Sequence, residues 1–163
     1  MPTAARIAEY WAEWEQKNNT IPPWCDGFWD WYEPSCMACN MPVMDIDPDT
    51  PTFSTWNKAQ LERCHVVPRR IAGLDGPQNL VLMCHRCHKD APESANPDDM
   101  WVYMRERTSI DCLISMGLMT ARAGELVVTH KGHQRSHLMA YLSQMRGIAL
   151  RCECKACGRG YDR

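Results

Sequence analysis

The apolar positions near the start of the chain repeat with a helical period. Ile7, Trp11 and Trp14 fall at i, i+4 and i+7, which predicts an amphipathic helix over about residues 4–17. "NNTIPPWCDG" breaks it with a polar run and two prolines, because proline removes a backbone donor and clashes with the preceding turn. The pattern changes between Leu61 and Met83. "LERCHVVP" reads as a strand ending at Val66 and Val67 and stopped by Pro68, Gly73 and Asp75-Gly76 are turn residues, and "NLVLM" is a short apolar run. That order predicts a strand, a loop and a returning strand. "HRCHKDAPE" then reads as a short helix ended before Pro92.

A new helix opens in "ANPDDMWVYMRER", with Asn96 as N-cap, Pro97 at the first position, and Asp98 and Asp99 on the positive helix end. A further helical stretch over about residues 133–147 follows "GELVVTHKG". Together these elements predict an α+β fold in four segments. They are an N-terminal helix and linker (1–30), a hairpin core (31–95), a helical C-terminal region (96–150) and a basic, cysteine-rich tail (151–163). The first helix is expected to pack as a lid, with its tryptophans serving packing. The chain contains no internal repeat and no low-complexity tract.

A chain of 163 residues suits one domain with a small appendage. No window approaches 18 uncharged apolar residues, so neither a transmembrane helix nor a membrane partner is expected. Arg6, Glu9, Glu13 and Glu15 interrupt the N-terminal apolar pattern, which argues against a signal peptide and for a cytoplasmic protein. Disulfides are disfavoured in that compartment, so ten cysteines point to metal. The charge is unevenly spread. Residues 1–60 hold three Lys and Arg against nine Asp and Glu, whereas residues 121–163 hold eight against three. A basic end of this kind suits either a phosphate-backbone partner or plain solvation.

Cys36-x-x-Cys39 and Cys84-x-x-Cys87 supply the four thiolates of a closed, structural zinc site. The long interval between Cys39 and Cys84 exceeds that of a compact finger, so the site must clasp distant segments with the hairpin looped out between them. Cys154-x-x-Cys157 resembles half of another knuckle. With Cys152 it is a candidate for a second zinc site, completed by His133, His137, Cys25 or Cys112. The alternative is a tail of ordinary exposed thiols.

The knuckles, "LERCHVVP", Asn79 in "NLVLM", and "CHRCHK" together resemble the zinc-ribbon branch of the HNH endonucleases over about residues 36–91. The resemblance implies a ββα-metal fold that cuts nucleic acid with a divalent cation, magnesium or manganese, besides its structural zinc. It assigns His65 as general base, His88 as a cation ligand, and Asn79 either to steadying the loop that orients the base or to the metal. A neutral His can accept a proton near pH 7, and a cation stabilises the leaving oxygen. One departure matters. Where the family often carries Asp or His before the base, this chain has Cys64, and a thiol suits zinc better than magnesium. Glu62 shares a strand face with Cys64 and is the candidate carboxylate. Asn79 as second ligand, a preference for manganese or nickel, and a dead site are the alternatives. His85 is expected to be a surface residue.

Arg69 and Arg70 follow in the loop and match phosphate oxygens. Arg146, Arg151, Lys155 and Arg159 are candidate contacts to the DNA backbone. The sequence therefore points to a small metal-dependent DNA endonuclease of bacterial or phage type. A homodimer is expected if both strands are cut symmetrically. The rivals are a non-catalytic, zinc-stapled nucleic-acid-binding module and an interaction protein using the tryptophan-rich acidic front.

Overall fold

The computed structural model describes residues 1–24, 30–43, 53–122, 125–129 and 150–152. It is α+β, with short helices and two small sheets, and it divides into two compact units, Met1–Thr108 and Ser109–Arg163.

In the first unit, helix α1 spans Ala4–Asn18. The Thr3 hydroxyl caps its start by accepting from the Arg6 N–H, and Asn19 ends it in the left-handed region. The apolar stripe is buried through Ile7, Ala8, Trp11 and Ala12. Strand β1 (Glu62–His65) pairs antiparallel with β2 (Leu80–Met83), with Glu62 opposite Met83 and His65 opposite Leu80. All four residues of β2 are fully buried. The cause is packing by helices: α1 packs against β2, while α2 (His85–Asp90) packs against both strands. A continuous apolar run is what a strand covered on both faces requires. Helix α1 is therefore a wall of the core, and the Trp11 indole N–H donates to the Leu80 carbonyl at 2.9 Å.

Helix α3 spans Pro97–Glu106, and the Asn96 side chain accepts from the Asp98 N–H at its start. It belongs to the same unit as the hairpin. The Tyr103 hydroxyl donates to the Cys87 carbonyl at 2.8 Å, and Arg107 pairs with Asp90 at 2.8 Å. Trp101 stacks on Trp24 and meets Trp11 edge-on.

In the second unit, α4 (Ser109–Ser115) packs on β3 (Met119–Arg122). The sheet continues with β4 (Glu125–Val128), antiparallel to β3, and β5 (Leu150–Cys152), parallel to β4. Cys112, Leu113, Leu118, Met119, Val127 and Val128 are buried in it. The helix expected over about residues 133–147 lies outside the described residues. No helix among the described residues is long and apolar enough to cross a membrane.

Candidate metal centre and cleft

The four knuckle cysteines converge. The Sγ atoms of Cys36, Cys39, Cys84 and Cys87 all lie within 4.8 Å of one another, and among the described residues no other group of three or more His, Cys, Asp or Glu side chains clusters this closely. Zinc–thiolate bonds of about 2.3 Å in a tetrahedron separate sulfurs by roughly 3.8 Å, so the set fits zinc with little adjustment. The backbone prepares each knuckle. Asn40 takes the left-handed region after Cys39, and its N–H donates to the Cys36 carbonyl at 2.8 Å. The Cys84 N–H donates to the Cys36 sulfur at 3.2 Å, and the Met37 N–H donates to the Leu82 carbonyl at 2.8 Å. The first knuckle is thereby pinned to the end of β2, and the second opens α2.

The Cys36 thiol is held well above its ordinary pKa. A hydrogen bond with Cys39 pulls it down, but contacts with Cys84 and Cys87, together with burial, outweigh that. Four thiolates cannot share so small a volume without a cation, so metal binding there must displace protons.

The hairpin loop is fastened by one side chain. Asn79 Oδ1 accepts from the Val67 N–H, and Nδ2 donates to the carbonyls of Val67 and Leu74, each at 2.9 Å. The Asn79 backbone adds two links, accepting from the Val66 N–H at 2.9 Å and donating to the Gly76 carbonyl at 3.0 Å. Gly73 sits where the loop closes on itself. A Cβ there would lie 1.7 Å from the Val67 carbonyl oxygen, so no other residue fits without moving the backbone.

His65, at the end of β1, places Nε2 2.9 Å from Asp75 Oδ1, and its side chain is only 15% exposed. Asp75 Oδ2 in turn meets Arg69 at 2.8 Å. The His65 hydrogen bond, then the Arg69 charge, hold the Asp75 carboxyl below its usual range. Arg70 is paired with Glu93. Both candidate phosphate-binding arginines are thus engaged through exposed ion pairs, which are weak and exchangeable.

On the other strand face, the Glu62 carboxylate meets two histidines of α2. Oε2 lies 2.6 Å from His88 Nδ1, and Oε1 lies 2.7 Å from His85 Nδ1. Hydrogen bonds from His88, then His85, hold Glu62 below the usual carboxylate range, so it is ionised. Cys64 behaves differently. It is buried, and burial, followed by the proximity of Cys36 and Glu62, pushes its thiol up to about 12. A neutral, buried thiol is a poor ligand for a hard cation.

An open cleft of about 360 Å³ runs between the loop and α2, lined by Cys64, His65, Arg69, Arg70, His88 and Lys89 among others. The structure therefore brings His65 and His88 to one cavity and puts Asn79 beneath the loop. Glu62 is not among the residues lining the cleft, although it touches His88. The tail candidates Arg146, Cys154, Lys155, Cys157 and Arg159 lie outside the described residues, and Arg151 and Cys152 are described only as backbone of β5.

Two site residues carried little signal in the sequence. Asp75 looks like an ordinary turn residue, because its partner His65 lies ten positions earlier across the loop. His85 is exposed but tied to Glu62. Its spacing of three from His88 on a helix, which puts both on one face, is the signal that could have found it.

Replacing Cys84 by Ser is expected to leave well under one zinc per chain and to abolish the cooperative melting of the first unit, measured by metal analysis and thermal denaturation. A zinc-loaded, normally melting variant would show that the four cysteines are not the ligand set. Zinc affinity should also climb with pH, since protons compete for the sulfurs. Competition with a chromophoric chelator between about pH 6 and pH 8 should show about a tenfold gain per unit for each proton displaced.

Comparison of the chain with models of known families, with curated proteins and with solved structures found no match.

Proposed function

We propose that the first unit is a metal-dependent endonuclease of the HNH type, with a ββα-metal core stapled by zinc at Cys36, Cys39, Cys84 and Cys87, and with DNA as substrate. The single observation that carries the proposal is the cleft in which His65, from the end of β1, and His88, from α2, line one cavity beside the loop arginines. A purely structural zinc module has no need for such a cleft, nor for the carboxylates that engage the two histidines lining it.

The residues divide the work of phosphodiester hydrolysis. His65 takes a proton from the attacking water as the water oxygen bonds to phosphorus and the bond to the 3′ oxygen breaks, and the departing oxygen takes its proton from solvent. Asn79 holds the loop so that His65 keeps its position relative to α2. Glu62 and His88 would hold the catalytic cation, magnesium or manganese. Their oxygen and nitrogen already converge at 2.6 Å, and a cation can replace the proton they share. When bound, the cation supplies Lewis-acid stabilisation of charge on the phosphate and on the leaving oxygen. Cys64 contributes packing. Arg69 and Arg70 border the cleft, and Arg70 can exchange Glu93 for a phosphate oxygen. The basic end of the chain, including Arg146, Arg151, Lys155 and Arg159, would grip the DNA backbone without reading sequence.

Plasmid nicking with and without added magnesium or manganese tests the proposal, and His65→Ala is its sharpest variant. Cleavage should fall by about 100-fold or more, while zinc content and melting temperature barely move. A variant that cleaves like wild type would sink the mechanism. A wild type that binds DNA but never cuts it would favour a zinc-stapled binding module.

The cation site has its own test. Glu62→Gln should weaken magnesium-supported cleavage much more than Cys64→Ser does, as read from the magnesium concentration needed for half-maximal rate. Equal insensitivity of the two variants would mean that neither residue holds the cation.

A further inference from the structure

We propose that Asp75 is the positioning residue for His65: it fixes the imidazole so that Nδ1, and not Nε2, is the atom that accepts the proton. The proposal deepens the nuclease reading and, in its catalytic part, rests on it. The geometry is specific. Asp75 Oδ1 lies 2.9 Å from His65 Nε2, and Asp75 Oδ2 lies 2.8 Å from Arg69. An ionised carboxylate can only accept a hydrogen bond, so the Nε2 in contact with it carries the hydrogen, and Nδ1 keeps the basic lone pair.

The loop is built to present Asp75 at that point. Asn79 binds the carbonyl of Leu74 on one side of Asp75 and that of Gly76 on the other. The same residue holds Val66 and Val67, just beyond His65. One asparagine thus sets both the carboxylate and the histidine. Arg69 meets the second carboxylate oxygen through an exposed, exchangeable pair that favours the same orientation of Asp75. The remaining charged or titratable groups lining the cleft are Cys64, Arg70, His88, Lys89 and Glu93, whereas the side-chain partner of His65 is Asp75.

The proton accounting is simple. Water loses a proton to His65 Nδ1 while its oxygen bonds to phosphorus, and the imidazolium that results is stabilised by Asp75, which itself takes up no proton. A carboxylate beside a general-base histidine orients the ring and favours its charged form in the same way in serine proteases.

The test uses zinc-loaded wild type, Asp75→Asn and Asp75→Glu. Long-range ¹H–¹⁵N spectra of the His65 ring, recorded without the catalytic cation, should show the Nε2–H form in wild type and a mixture in Asp75→Asn. Single-turnover cleavage of saturating plasmid by Asp75→Asn should slow by about 100-fold or more, with DNA affinity unchanged and the acidic limb of the pH–rate profile, where the general base loses its proton, displaced to lower pH. Asp75→Glu should recover part of the rate. A merely structural role would lower the melting temperature without moving the tautomer or the profile. An Asp75→Asn protein with wild-type tautomer and rate overturns the proposal. If wild type cuts nothing with any cation, the nuclease reading fails alone, and the tautomer measurement still decides whether Asp75 fixes the ring.

Discussion

Four sulfurs held within 4.8 Å of one another govern the first unit, because they join two segments far apart in the chain. The knuckle at Cys36 and Cys39 is distant in sequence from the hairpin, and the knuckle at Cys84 and Cys87 stands where β2 ends and α2 begins. Without a cation the four sulfurs crowd one another, and the Cys36 thiol is held well above its ordinary pKa. With zinc they become four bonds that fix the start of α2 against the first knuckle. A two-stranded hairpin is marginal by itself, and α2 has only six residues, too few to be stable in isolation. The direction of α2, and hence the position of His88 across from His65, depends on that staple and on the Tyr103 contact to the Cys87 carbonyl.

The surplus of tryptophan over phenylalanine, seven against two, has a physical reason in the same unit. Trp11 donates to the Leu80 carbonyl, Trp56 to the Trp31 carbonyl, and Trp31 to the Glu15 carboxylate. Each of these indoles fills volume and also donates a hydrogen bond to an oxygen distant in sequence. Phenylalanine would supply only the volume. Trp11 does this at Leu80, the residue opposite His65, so packing and site meet at one peptide.

The cleft is organised by two histidine–carboxylate contacts of different kinds. His65 and Asp75 meet across a loop that Asn79 holds closed, while His88 and Glu62 meet between a helix and a strand. In both, the carboxylate engages one ring nitrogen and so dictates what the other can do. Asn79, half-buried beneath the loop with its amide making three hydrogen bonds, is a fastening residue whose bonds reach both sides of the first pair.

Much of the local structure was legible in the residues themselves. Helical spacing in Ile7, Trp11 and Trp14, the Asn96-Pro97 start of α3, and the strand–loop–strand order around Pro68 and Gly73 are local effects of sterics, capping and period, so sequence alone determined them. The paired Cys-x-x-Cys spacing likewise announced a metal staple, because four thiolates in two tight turns have few other uses. What joins across space was not legible. That α1 would wall the core, that Cys64 would be buried and neutral, that Glu62 would engage both His85 and His88, and that Asp75 would meet His65 all depend on how the loop closes and where α2 lies. Those contacts arise between residues ten or more positions apart, whose separations are set by the sulfur cluster and the Asn79 bonds. Only the tertiary structure could decide them, since no local preference of Asp75 or Glu62 distinguishes a partner in a site from an ordinary exposed carboxylate.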